Sequence, residues 1–220
     1  MHYQAIIPVK TLTQAKSRLT GYLSLEQRRQ LVLTMLRHVL LVLQESDIHI
    51  TVVSADAEVC SYARSWGAQT LNEEQPGHNP ALTAAAQHIL SEIPDVDKGH
   101  VGLLTISADL PLLQVDEIQA MIEASKEYPV VLAASQEGTG TNALLVHPPL
   151  NIPYVFGQDS LQHYLNEATK WHLPTKIQKS HGLSFDIDTI DDLELLQMYA
   201  WEYRAMQQRV DEAYSLSTRC

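Results

Sequence analysis

Ala5-Ile6-Ile7-Pro8-Val9-Lys10, continuing as Thr11-Leu12-Thr13-Gln14-Ala15-Lys16-Ser17-Arg18-Leu19, decides the fold class. From Gln4 to Val9 the run is almost continuously apolar rather than alternating, the pattern of a strand buried on both faces of a sheet. It empties into a polar segment that carries Lys10, Lys16 and Arg18 within nine positions. That density of cations contradicts a chain with 26 acidic against 15 basic side chains and a net charge of −11. Such a cluster at the end of a buried strand calls for an anionic ligand or a network of salt bridges.

Outward from that strand the pattern repeats. Ser24 opens a helix, Gln27 completes a capping box, and Leu31, Met35, Leu36, Val39, Leu40 and Leu43 recur at helical spacing. Residues 48–53 read as a second strand, 56–66 as a second helix stopped by Gly67, and 69–71 as a short third strand. Pro80 starts a helix through Leu90, and Val101 to Ile106 is the most strongly apolar strand, ending in Ser107-Ala108-Asp109-Leu110-Pro111. Alternating strands and helices predict an α/β fold with a mostly parallel central sheet and right-handed crossovers. Beyond this the spacing predicts a helix over 115–124, strands over 130–134 and 143–146, a helix over 160–170, a strand ending at Phe185-Asp186-Ile187-Asp188, and a long helix from Thr189. Residues 208–220 read as a tail or a dimer contact.

At 220 residues the chain is read as one domain spanning 1–220. The hydrophobic fraction is an ordinary 45 %, and no apolar run approaches the roughly 18 residues of a membrane helix. The N-terminus lacks the pattern of a secretory signal, so a cytoplasmic protein is expected. Cys60 and Cys220 stand in no disulfide or zinc spacing, and the negative charge argues against nucleic acid.

Gly138-Thr139-Gly140-Thr141-Asn142-Ala143 matches G-x-G-x-x-A, but that fingerprint must open a helix and here a strand follows. The remaining readings are a glycine loop that brings N–H groups near an anion, or a plain hairpin turn. Asp109 stands at the C-terminal end of a buried strand, where open α/β sheets bind ligands; helix capping is its plainer reading. Alternation puts Asp186 and Asp188 on one side of their strand, whereas Asp191 and Asp192 are first-turn helix acids behind Thr189. Asp109 with Asp186 or Asp188 makes a divalent-cation site, and hard carboxylate oxygens suit Mg²⁺, which keeps one or two protein ligands beside phosphate oxygens. The ten histidines show no zinc spacing, and neither a G-x-S-x-G elbow nor a Walker A sequence is present.

As a set, Ile7 to Lys10 with Ala15 to Leu19, Ala108 to Pro111, Gly140-Thr141-Asn142, Phe156-Gly157 with Ser160, and Asp186 to Thr189 resemble the guanylyltransferases that activate 2-phospho-L-lactate or phosphoenolpyruvate in coenzyme F420 biosynthesis. The resemblance covers nearly the whole chain. It implies a three-layer α/β/α sandwich of the Rossmann-like, GT-A-like nucleotidyltransferase fold, with GTP as donor, a small phosphorylated carboxylic acid as acceptor, Mg²⁺, and a homodimer. Pro8, Val9 and Lys10 would lie against the nucleotide, Lys16 and Arg18 on its triphosphate, and Gly77 and Asn79 by its base and ribose. Members commonly show Gly-Leu-Asn there, whereas this chain has Gly77-His78-Asn79-Pro80. Asp109, Asp186 and Asp188 would hold Mg²⁺, and Thr141, Asn142, Gly157 and Ser160 the acid. Lys16, Arg18 and Asp109 would carry catalysis. The chemistry agrees: a phosphate oxygen attacking the α-phosphorus of GTP is already an anion, so positioning and electrostatics suffice without a general base. Two other readings stay open, a nucleotidyltransferase of a sugar or pterin cofactor and a nucleotide-binding protein without turnover.

Overall fold

The chain folds around a seven-stranded sheet of order β3-β2-β1-β4-β6-β5-β7, and the computed structural model describes residues 1–72 and 77–199. In chain order the elements are β1 (His2–Pro8), α1 (Leu25–Glu45), β2 (His49–Ser54), α2 (Ala57–Ser65), β3 (Gln69–Asn72), α3 (His78–Glu92), α4 (Asp95–Lys98) and β4 (Val101–Ile106). The second half adds α5 (Val115–Ser125), β5 (Val130–Ala134), β6 (Thr141–Val146), α6 (Ser160–Lys170), β7 (Thr175–Gln178), α7 (His181–Ser184) and α8 (Ile190–Met198). A single 3₁₀ turn covers Ser17–Leu19.

The apolar run of β1 is buried on both faces, as its lack of alternation requires. Ala5 and Ile7 face one helical layer, with Leu36, Val39 and Leu40 of α1, Val59 of α2 and Met121 of α5. Ile6 faces the other, with Leu82 and Ala86 of α3 and Tyr164 of α6. The result is the expected three-layer sandwich. α1 begins as read: Gln27 N–H donates to Ser24 Oγ at 3.2 Å and Ser24 N–H to Gln27 Oε1 at 2.9 Å.

β1 pairs in parallel with both β2 and β4. The chain runs outward from β1 to β3 and then returns to place β4 on the opposite side. A crevice therefore opens between the C-terminal ends of β1 and β4, the position where such sheets bind ligands. β6 is antiparallel to both β4 and β5, and β7 rejoins in parallel on β5. That reversal brings the first residues of β6, Thr141 and Asn142, beside the last residues of β4.

The structure corrects three expectations. Phe185 to Asp188 is not a strand. Its apolar–acid alternation arises because Phe185 and Ile187 bury in a satellite cluster with Leu19, Met35 and Leu196, outside the sheet. The strand that closes this edge is the short, half-polar Thr175–Gln178, too weakly patterned to be read. The helix assigned to begin at Pro80 begins at His78, behind Gly77 at φ 112°. β6 starts at Thr141 rather than at Ala143, so Gly138-Thr139-Gly140 is the tip of a β5–β6 hairpin. The proposed tail at 208–220 lies outside the described residues.

Candidate active site

The segment after β1 rides on the core by Leu12, Ala15 and Leu19, all buried. It is tied to the start of α2 by Leu12 N–H donating to Asp56 Oδ2 at 2.9 Å. Anchored at both flanks, the turn places Lys16 at φ 53° and ψ 41°, left-handed geometry that a residue with a Cβ adopts only when its surroundings impose it. The Lys16 side chain is 8 % exposed. Its ammonium is hydrogen-bonded to Asp109 and, at 2.9 Å, to Asp188 Oδ1. Arg18 Nη1 reaches the other oxygen of Asp188 at 3.3 Å.

Two carboxylates thus meet two cations, with Asp186 beside them, and the proton affinities of the site diverge. Burial opposes the charge on Lys16, but Asp109 and Asp188 more than offset it and hold its pKa above the ordinary lysine value. Burial likewise works against Asp188, yet Lys16, then Arg18 and Lys10, keep it below the usual carboxylate range. Asp186 makes no ion pair with a described residue, and Lys16 exerts only the smallest pull on it. Burial pushes it up to about 6, the Asn142 amide pulls the other way, and Asp109 and Asp188 add repulsion.

The opposite wall is built by the β5–β6 hairpin, the start of α6 and the loop before it. Ser135 N–H donates to Gly140 O, and Gly140 N–H to Ser135 Oγ, each at 3.0 Å. A Cβ at position 140 would press on Ser135 Oγ at 2.8 Å, so a larger residue there would displace the Ser135 side chain from its hydrogen bond. The Asn142 amide nitrogen gathers the segment after α7, donating to Leu183 O (3.2 Å), Ser184 O (3.1 Å) and Asp186 Oδ1 (2.9 Å). Buried Ser160 donates to Thr141 Oγ1 at 3.1 Å, and Leu161 N–H to Thr139 O at 3.0 Å, locking α6 onto the hairpin. Gly157 takes φ 131° on the approach to α6.

These walls enclose a cavity of about 660 Å³. Pro8, Val9, Lys10, Lys16, Arg18 and Asp109 line one side; Thr141, Asn142, Gly157 and Ser160 line the other; Asp186 and Asp188 stand on the rim between them. Gly77 and Asn79 do not line it, and His78 does. Asn79 instead brackets Phe156, accepting from its N–H at 2.9 Å and donating to its carbonyl at 3.0 Å. The His78 ring stands edge-on to Phe156 at 5.8 Å, and burial followed by the nearby Lys10 lowers its pKa. The residues that the resemblance sets by the base and ribose, Gly77 and Asn79, thus flank the one neighbour, His78, that lines the cavity. Sequence reasoning gave Asp192 only a capping role. The Asp192 carboxylate does cap, accepting from Thr189 N–H at 2.7 Å, but the same oxygen takes Asp188 N–H at 2.9 Å and so fixes the Asp188 backbone.

Among the described residues no three acidic, histidine or cysteine side chains close into a metal cage. Lys16 bridges Asp109 and Asp188, while Asp186 is held by Asn142. The donor set nonetheless fits Mg²⁺, which takes one or two carboxylates and fills its octahedron with water and phosphate oxygens. Asp186 is the carboxylate best suited to gain from a cation, since it faces two like charges and among the described residues pairs with no cation.

Comparison with known proteins shows the family and the fold. Residues 3–207 match the family model described as guanylyl transferase CofC like. The phosphoenolpyruvate guanylyltransferase of Roseiflexus sp. (strain RS-1) is 39 % identical over 194 residues, covering 88 % of this chain and 84 % of that protein. The 2-phospho-L-lactate guanylyltransferase of Methanocaldococcus jannaschii is 34 % identical over 191 residues, covering 86 % and 80 %. A crystal structure from Desulfovibrio desulfuricans G20, assigned by name to the nucleotide-diphospho-sugar transferases, shares the fold with a TM-score of 0.77 at 15 % identity, covering 96 % of each chain. The fold is thus the GT-A-like fold of nucleotidyltransferases, and the chain belongs to the CofC-like guanylyl transferase family.

Proposed function

We propose that the protein transfers GMP from GTP to phosphoenolpyruvate, with Mg²⁺ and with release of pyrophosphate, as a step of coenzyme F420 biosynthesis in the cytoplasm. The observation that carries this reading is a single cavity with two unlike walls, one of cations and carboxylates, the other of hydroxyls, an amide and glycines. The first suits a triphosphate and the second a small anionic acid.

In this reading Lys10, Lys16 and Arg18 receive the triphosphate, and Lys16 exchanges carboxylate partners for phosphate oxygens. Asp109 with Asp186 or Asp188 would hold Mg²⁺. When bound, the ion neutralises charge on the triphosphate oxygens as a Lewis acid. Thr141, Asn142, Gly157 and Ser160 hold the acceptor so that its phosphate oxygen lies in line with the α-phosphorus and the departing pyrophosphate. Orientation and charge neutralisation supply the acceleration, since the nucleophile carries its own negative charge.

Phosphoenolpyruvate is preferred as acceptor because the relative at 39 % identity bears that name, against 34 % for the methanogen enzyme named for 2-phospho-L-lactate. A homodimer is part of the same proposal. The test is pyrophosphate release with GTP, Mg²⁺ and, separately, phosphoenolpyruvate, 2-phospho-L-lactate and 3-phosphoglycerate. Release is expected with phosphoenolpyruvate; preference for another acid would reassign the acceptor, and no release with any of the three would sink the function.

A further inference from the structure

One buried cation lies outside the cavity wall. Arg28, in the first turn of α1, is 6 % exposed. It shares a helix face with Val32 and Met35, which line the cavity floor. Its Nη1 donates to the carbonyl of Ala15 at 2.8 Å, its Nε has no acceptor, and no ion pair with a described residue includes it. Burying a guanidinium on one backbone carbonyl is costly, so what that carbonyl controls matters. It belongs to the peptide that joins Ala15 to Lys16. Rotation of this peptide sets φ of Lys16, and φ there is left-handed.

We propose that Arg28 is a positioning residue for Lys16. By drawing the Ala15 carbonyl beneath the turn, it holds the following residue in a conformation that a lysine would otherwise leave for the right-handed region. In that conformation the ammonium extends between Asp109 and Asp188, where a triphosphate would meet it. Arg28 also places a positive charge under a loop that the function requires to attract an anion. What Lys16 does for the substrate rests on the proposed function; the control of its backbone does not.

Two measurements test this. Backbone chemical shifts distinguish left- from right-handed geometry, and without nucleotide or metal they should show Lys16 left-handed in the unmodified protein and right-handed in Arg28→Met. In kinetics, Arg28→Met should lower kcat/KM for GTP by about tenfold, but by less than about twofold when Lys16 is already alanine, because residues that act through one another are not additive. Should Arg28→Met not fold, Arg28→Gln carries the same measurements. Lys16 shifts that stay left-handed in the folded variant, or an equal cost in both backgrounds, overturn the proposal. An unmodified protein without transferase activity would instead sink the function and leave the shift measurement to decide on Arg28.

Discussion

Asn79 offers the sharpest discrimination between the loop as sequence and the loop as structure. The family resemblance sets it by the nucleotide; the structure spends both ends of its amide on the backbone of Phe156. Asn79→Ala removes two hydrogen bonds at once, each worth about 1 kcal/mol net, so a loss of ~2 kcal/mol is expected. In a chain of this size that lowers the thermal midpoint by about 4–8 °C. Phe156 leads into Gly157 on the wall proposed to hold the acceptor, so the slackened segment should disturb the acid more than the nucleotide. If half of the lost energy reached the acceptor site, its KM would rise about fivefold, taking 1.4 kcal/mol as tenfold, while the KM for GTP moved less than twofold. Thermal unfolding followed by fluorescence, together with initial rates varied in each substrate, measures both effects. An unchanged midpoint, or a KM increase confined to GTP, would refute this reasoning and restore Asn79 to the nucleotide.

Asp109→Asn should cost at least about a hundredfold in turnover, as expected when a charged group of the site is lost, with the circular dichroism spectrum and midpoint near those of the parent. Asp186→Asn should abolish activity yet stabilise the metal-free protein. The folded state binds this proton more tightly than the unfolded chain, so its carboxylate lowers stability as pH rises through about 6; the rise from 3.8 is worth up to about 3 kcal/mol. The gain in midpoint should therefore appear at pH 7–8 and vanish below pH 4, and a gain independent of pH would remove the explanation. Tyr164→Phe leaves the Val155 N–H, now 3.1 Å from the phenolic oxygen, without its acceptor, and should destabilise by roughly 1–3 kcal/mol in urea titrations. No change there would mean that water replaces the hydroxyl.

The first half of the fold was legible because each element states its own reason. A strand buried on both faces, a capping box at Ser24 and a glycine after α2 are local signals, and the structure keeps all of them. The second half was harder because its signals are tertiary. Phe185 and Ile187 alternate with acids like a strand, but much of what they bury against, Leu19, Met35 and Leu112, lies far earlier in the chain. Thr175–Gln178 is a strand because β5 offers an edge, not because its residues demand it. The carboxylates and cations of the site could be named one by one from their places at element ends. That Lys16 lies between two of the acids, and that Asn79 turns away, depends on backbone angles at Lys16 and Gly77 that composition does not encode. Arg28 escaped notice for the same reason: in a helix's first turn, a charge reads as solvent-facing until its neighbour is known.

The reversed strand β6 has a consequence beyond placing two side chains. Because it runs back against β4, the groups proposed to hold the acceptor, from the hairpin tip to the start of α6, come from one uninterrupted stretch of the chain. The groups proposed for the triphosphate lie earlier in the chain, with Asp186 and Asp188 later. In the proposed reading donor and acceptor recognition are therefore written in consecutive parts of the chain, so that substitutions between the hairpin tip and α6 would alter the second substrate while leaving the cationic turn after β1 unchanged.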